Sequence, residues 1–299
     1  MGLPVVFHKD YEAPLRAGHR FPMSKYGYLR NLLVKEGVVR ADGFAVPAFA
    51  NPPLLTLAHD AAYVDRVMSL SLSVEEAKRI GLPQSEAMRR RVRLSAAGTL
   101  LTARLALNHG VACNAAGGSH HADHYGGAGF CVFNDVAVAA AALLSDGTVG
   151  RIVIVDLDVH QGDGTARIFH GSHDVFTLSI HAAANFPAEK AQSDHDVPLP
   201  DGTEDERYLR AVDEALEAAP AADLIFYNAG VDPHRDDRLG RLSLSDHGIA
   251  RRDNKVIAWA KARATPIVGV LGGGYGNSPT DIAARHLSLF HAADTMMRG

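Results

Sequence analysis

Apolar runs of strand length alternate along the chain with longer stretches of helical spacing. The pattern predicts strands near 111–114, 152–157, 175–180, 224–228 and 266–271, with another at 5–7. Between them the spacing predicts helices over 84–108, 134–144, 204–218, 245–262 and 280–296, and a further helix beginning at Asp60. Ile152-Val153-Ile154-Val155 and Leu224-Ile225-Phe226-Tyr227 are apolar without interruption, as suits strands covered on both faces in a parallel sheet. Repeated strand, helix, strand order points to an α/β fold with helices on both faces of the sheet. No internal repeat, low-complexity tract or linker divides the chain, so one domain over 1–299 is expected.

Composition narrows the class. Apolar residues make up 47% and charged residues 21% of 299 residues, an ordinary soluble composition. A net charge of −4 lacks the positive field that general nucleic-acid binding needs. No window approaches a membrane span, and the start of the chain lacks the basic and apolar regions of a signal peptide. With two cysteines and no disulfide framework, a cytoplasmic location is expected. Sixteen histidines stand against those two cysteines, so any metal must be bound by imidazole and carboxylate.

The informative polar residues fall at strand ends, where open parallel sheets place their ligands. Asp156-Leu157-Asp158-Val159-His160-Gln161-Gly162-Asp163-Gly164 follows the run at 152–155. In extended backbone Asp156, Asp158 and His160 would project from one face, and the glycines would let the chain turn away. Asp232 follows the strand at 224–228, His120 and His121 follow a glycine-rich loop after 111–114, and Gly272-Gly273-Gly274-Tyr275 follows 266–271. Asp158, His160 and Asp232 make three ligands with positions left open for water and substrate, the pattern of a catalytic zinc site. Such an ion acidifies water and polarises a carbonyl, a neighbouring imidazole carries protons, and Tyr275 offers a donor to an oxyanion. The assembled chemistry is metal-assisted amide hydrolysis.

These residues resemble the histone deacetylase superfamily over nearly the whole chain and in order. The matching motifs are His19-Arg20-Phe21-Pro22-Met23, Gly117-Gly118-Ser119-His120-His121-Ala122, Gly129-Phe130-Cys131, the 156–164 segment, Ala229-Gly230-Val231-Asp232 and Gly272-Gly273-Gly274-Tyr275. The resemblance implies an arginase/deacetylase-type α/β fold around a mainly parallel sheet of about eight strands. It implies zinc on Asp158, His160 and Asp232, with Fe(II) or Co(II) also suited to that donor set. His121 takes the general base and acid role, supported by Asp163; His120 is its electrostatic neighbour, paired with Asp156; Tyr275 polarises the carbonyl. A structural potassium ion is implied at the side chains of Asp156 and Ser179 with the backbone of Asp158, His160 and Ile180. Phe130 and Phe186 wall the acyl-lysine tunnel, with Gly129 beside it. The implied substrate is an acylated lysine in a protein or peptide, or an acylated small amine.

Three departures refine the resemblance. Gln161 stands where many members carry a second histidine, as in class IV deacetylases; 201–209 and 237–243 also look class IV. The segment 79–86 shows no counterpart of the rim aspartate that clamps a peptide backbone. The chain has no insertion like those of acetylpolyamine amidohydrolases. Class IV character favours longer acyl chains. Two rivals are weighed: an arginase-like two-manganese hydrolase, in which His234 would be the bridging candidate, and a catalytically silent acyl-lysine binder.

Other features receive plainer readings. The basic run Arg89-Arg90-Arg91-Val92-Arg93 reads as a solvated helix face. Cys113 and Cys131 read as packing residues. His124 and Tyr125 could line an entrance or a solvated loop, His59 reads as capping or exposed, and His181 as a neighbour of the potassium-site strand. No feature specifies an oligomeric state.

Overall fold

A computed structural model describes residues 2–298. In chain order the elements are β1 (Val5–Val6), α1 (Lys25–Lys35), α2 (Pro52–Leu55), α3 (Ala61–Met68), α4 (Val74–Ile80), α5 (Glu86–His109), β2 (Val111–Asn114), α6 (Asp135–Ser145), β3 (Ile152–Asp156), α7 (Asp163–Ile168), β4 (Val175–Ala182), β5 (His195–Leu199), α8 (Asp205–Ala218), β6 (Leu224–Asn228), α9 (Asp246–Ala262), β7 (Ile267–Val270) and α10 (Pro279–Arg298). Side chains fix many helix starts. Asp60, Ser85, Asn134 and Ser245 accept hydrogen bonds from the backbone N–H of Tyr63, Met88, Ala137 and Gly248, respectively, satisfying donors that the first turn leaves unpaired.

The sheet runs β1-β2-β7-β6-β3-β4-β5, and every neighbouring pair is parallel. β2, β3, β6 and β7 are buried throughout, as their unbroken apolar runs require. α5 packs on β1, β2 and β7 and against α6, while α1, α10, α9 and α8 form a second, contiguous layer. The connection from β3 leads to β4 on one side, whereas that from β6 leads to β7 on the other. The loops after β3 and β6 therefore diverge, opening a crevice between two adjacent strand ends.

The sheet has seven strands, all parallel, against the mainly parallel set of about eight expected. β5 was not anticipated. It is an edge strand with mostly half-buried or exposed residues and a proline at 198, which an edge tolerates and an apolar run does not reveal. α4 was also missed, although Ser73 and Glu76 form a reciprocal capping box.

The basic run is not a solvated face. Arg91 is buried, its Nε donating to the Tyr11 carbonyl at 3.0 Å and its Nη2 to the Tyr26 hydroxyl at 2.7 Å. Arg90 pairs with Asp10 at 2.6 Å and Arg93 donates to the Ala50 carbonyl at 2.7 Å. The run fastens the N-terminal segments to α5. His59 is likewise buried, its Nδ1 donating to the Asp123 carbonyl at 2.8 Å and its Nε2 accepting from the Asn134 N–H at 2.9 Å. Both cysteines are free and buried.

Candidate functional site

β3 ends at Asp156, so the strict alternation that would put Asp156, Asp158 and His160 on one face stops there. The chain then folds on its own carboxylates: Asp158 N–H donates to Asp156 Oδ1 at 3.2 Å and His160 N–H to Asp158 Oδ1 at 3.0 Å. Asp158 and His160 turn toward Asp232, which follows β6 across the crevice, and one ligand atom from each lies within 4.8 Å of the others. Asp156 instead faces His120 and Asn228. Gly164 belongs to α7 rather than to a turn.

The trio fits a divalent cation. All three residues are buried. His160 Nδ1 lies 3.0 Å from Asp158 Oδ1 and 3.2 Å from Asp232 Oδ2, yet Asp232 Oδ2 accepts no hydrogen bond. A buried carboxylate oxygen without a partner is costly. Burial, then the neighbouring Asp158 charge, push the Asp232 carboxyl up to about 7. Burial alone would lower His160, but Asp158 and Asp232 override it and raise the imidazole to about 10. Two facing buried carboxylates call for positive charge, and an O/N/O donor set suits a hard-to-borderline divalent ion. Gly273 closes the far side, its N–H donating to Asp158 Oδ2 at 2.6 Å; a Cβ there would lie 2.0 Å from Asp232 Oδ2.

The 117–122 loop brings the histidine pair to the same place. Asp135, at the start of α6, accepts from Gly118 N–H at 3.2 Å and Ser119 N–H at 2.8 Å, and so fixes the loop. His120 Nδ1 donates to Asp156 Oδ2 at 2.7 Å and His121 Nδ1 to Asp163 Oδ1 at 2.6 Å. Each carboxylate sets its ring's orientation and leaves Nε2 facing the crevice. Arg167 also pairs with Asp163.

Above these groups opens a cleft of about 290 Å³ whose walls include Gly129, Phe130, Phe186 and Tyr275. The Phe186 ring meets His121 edge-on at 4.8 Å, and Phe130 lies 5.8 Å from Tyr275. Gly129 has φ +53, and a Cβ there would lie 2.6 Å from His121 Cδ2 and 3.1 Å from Phe186 Cε1. Burial, then the Asp158 and Asp232 charges, raise the Tyr275 phenol well above its ordinary value, so it stays a donor. Its backbone N–H donates to Asp237 Oδ2 at 2.6 Å, and Asp237 also accepts from the Leu239 and Gly240 N–H groups.

Asp156 and Ser179 stand opposite each other in register on β3 and β4, with Ile180 next along β4. Ser179 Oγ lies 3.0 Å from His181 Nδ1. His234 does not join the converging ligands: its Nδ1 accepts from Asp236 N–H and its Nε2 lies 3.3 Å from Asp246, so the bridging ligand weighed for a two-metal site is directed elsewhere. His124 and Tyr125 are not among the cleft residues.

Several contributors escaped the sequence reading. Asn228, Asp135 and Asp237 orient the groups just described; Asn228 carried a positional signal at the end of a strand, and Asp237 opens the 237–243 stretch without having been given a role. Gln161 Nε2 donates to the Ala191 carbonyl and to Asp196, both at 2.8 Å, and its Oε1 accepts from Ala191 N–H. It ties the site to the segment that carries Phe186. Arg20, Lys78 and Arg79 line the cleft mouth.

Residues 19–290 match the histone deacetylase domain. An uncharacterized protein from Picosynechococcus sp. is 44% identical over 296 residues, covering 98% of both chains. Histone deacetylase 2 from Arabidopsis thaliana is 31% identical over 278 residues, covering 89% of this chain and 72% of the other. Among solved structures, the HDA15 HD domain superposes with a TM-score of 0.79 at 21% identity, covering 99% of this chain and 89% of that one.

Proposed function

The chain belongs to the histone deacetylase family, amide hydrolases of α/β fold, and from that premise we propose that it is a zinc-dependent deacylase. It removes acetyl or longer fatty acyl groups from the side-chain amine of lysine or a related amine. The observation that carries the reading is the buried Asp158, His160 and Asp232 trio lying beside the His121–Asp163 pair beneath a cleft that Tyr275 lines.

Asp158, His160 and Asp232 would hold the ion, zinc in the first instance with Fe(II) or Co(II) as substitutes, and it would supply Lewis acidity toward water and the amide carbonyl. His121 Nε2 takes a proton from the attacking water and returns it to the departing amine nitrogen. Asp163 keeps Nδ1 protonated, so that the lone pair for this exchange sits on Nε2. His120, held by Asp156, sits beside it as a charged neighbour. The Tyr275 hydroxyl donates to the carbonyl oxygen as charge gathers there. Gly129, Phe130 and Phe186 enclose the alkyl chain of the substrate amine. Asp156, Ser179 and Ile180, with the backbone of Asp158 and His160, would hold a structural potassium ion. Residues 1–299 act as one catalytic domain. Two free cysteines are consistent with a reducing compartment such as the cytoplasm.

The test is release of a fluorophore from acetyl- and longer acyl-lysine substrates, with metal content measured on the same samples. The intact protein is expected to turn over at least one substrate in proportion to bound metal. Unchanged rates in both Tyr275→Phe and His121→Ala would sink the mechanism, and inactivity across the panel at full metal loading would favour a silent acyl-lysine binder.

A further inference from the structure

Three cations, Arg20, Lys78 and Arg79, line the cleft mouth, and no aspartate or glutamate lines the cleft with them. All three are exposed, and among the described residues none has a carboxylate within ion-pair distance. α4 carries two carboxylates: Glu76 is engaged by Arg66 at 2.8 Å and by the Ser73 N–H, and the exposed Glu75 of the first turn is in ion-pair contact with neither Lys78 nor Arg79. The positive charge at the entrance is therefore free to act on whatever enters.

Their placement is fixed by the backbone. Lys78 and Arg79 sit in the last turn of α4, whose end is sewn to the cleft wall: Gly129 N–H donates to the Arg79 carbonyl at 3.2 Å and Phe130 N–H to the Ile80 carbonyl at 2.7 Å. Arg79 Nε donates to the Gly127 carbonyl at 2.8 Å. On the facing segment His19 Nε2 lies 3.0 Å from the Gly81 carbonyl, which anchors its neighbour Arg20 to the same rim. Two segments distant in sequence thus present cations beside the wall residues Gly129 and Phe130.

A substrate whose acyl group occupies the buried end leaves its amine-bearing part at this mouth. Resting on the deacylase reading above, we infer that the rim selects acylated amines carrying a carboxylate on the amine side and disfavours cationic amines. An acyl-lysine flanked by acidic residues, or an Nε-acyl-lysine with its own free carboxylate, fits; a lysine-rich tail or an acylated polyamine meets repulsion. Like charges in a low-dielectric cleft focus the field on an incoming group, and salt weakens the effect over a Debye length of about 10 Å at 0.1 M.

The experiment compares kcat/KM of the metal-loaded protein on capped peptides bearing one acyl-lysine flanked by Glu, Ser or Lys. A second arm compares Nα-acetyl-Nε-acyl-lysine with its carboxamide, separating side-chain carboxylates from a free terminal one. Exposed pairs each change a rate a few-fold, so Glu- over Lys-flanked peptide is expected to lead by about tenfold at low salt and by about twofold at 0.5 M. Arg20→Glu with Lys78→Glu removes two side chains that make no hydrogen bond and is expected to invert the order; Arg79 is kept because its Nε binds Gly127. A gain confined to the free-acid lysine would assign the selectivity to small acyl amino acids. Equal rates across the flanks and in both members of the second arm, or a preference for Lys flanks, overturn the inference while leaving the deacylase reading intact. No hydrolysis of any acyl-lysine overturns both.

Discussion

His120 and His121 are chain neighbours whose Nε2 atoms lie 3.2 Å apart, yet separate carboxylates hold them. Burial pulls both imidazoles down, but Asp156 and Asp158 override it at His120 and raise it to about 9. At His121 burial and the adjacent His120 prevail over Asp163 and lower it to about 4. One ring is thereby built to carry charge and the other to stay neutral, its Nε2 lone pair within hydrogen-bond reach of His120 Nε2.

That division gives the first prediction. His121→Ala is expected to cut kcat by about 10²- to 10⁴-fold, and Asp163→Asn by about 10- to 100-fold, because the ring loses its fixed tautomer. Tyr275→Phe is expected to cost about 10²- to 10³-fold in kcat. Circular dichroism should show each variant folded; retained activity in all three would dismantle the assignment.

Removal of the metal has a readout apart from activity. A ligand bound to the folded state at about 100 times its Kd adds about 2.7 kcal/mol. Chelation should therefore lower Tm, with zinc restoring it, whereas Asp158→Asn with Asp232→Asn should be insensitive to both. Equal response of native and variant protein would place the ion elsewhere.

Gly129→Ala tests the tightness of the cleft. The added Cβ would sit 2.6 Å from the His121 ring at a φ of +53, so the ring or the loop must move. Activity is expected to fall far more than Tm. A variant with native kcat would show that the contact relaxes without cost.

Gln161 makes three hydrogen bonds to Ala191 and Asp196, beyond the loop that carries Phe186. Gln161→Ala should loosen that wall, destabilising the protein by about 1–3 kcal/mol and raising KM more than it lowers kcat. An acyl-length series of kcat/KM on both proteins checks this, and coincident profiles would release Gln161 from any part in shaping the cleft.

His59 predicts a pH dependence of stability. Burial lowers it from 6.5 to about 4, against the opposing hydrogen bond to the Asp123 carbonyl. Between those values the unfolded chain binds the proton and the folded one does not, so stability falls as pH drops from 6.5 toward 4, by roughly 3 kcal/mol at most. Glutamine can both donate and accept as His59 does, so His59→Gln should flatten the acid limb of a Tm–pH curve relative to native protein. Superimposable curves would locate the acid sensitivity at other histidines.

The sequence by itself determined what periodicity and local chemistry carry. Uninterrupted runs such as 152–155 and 224–227 must be covered on both faces, which makes them central parallel strands, and the polar residues after them fall at one edge of the sheet. Asp158, His160, Asp232, the 120–121 pair and Tyr275 were legible for that reason. Tertiary structure alone decided the rest. β5 forms because an edge needs only one partner, so its half-polar residues leave no pattern. Arg91 looks like surface until Tyr11 and Tyr26, more than sixty residues away in sequence, satisfy its guanidinium in the core. The divergence of the loops after β3 and β6 is a property of strand order, and strand order depends on which faces pack. The cationic rim likewise arises only when the end of α4 is hydrogen-bonded to the 127–130 wall and met by the segment at 19–20. Long-range packing sets charge and burial at these positions, and no local window of residues contains it.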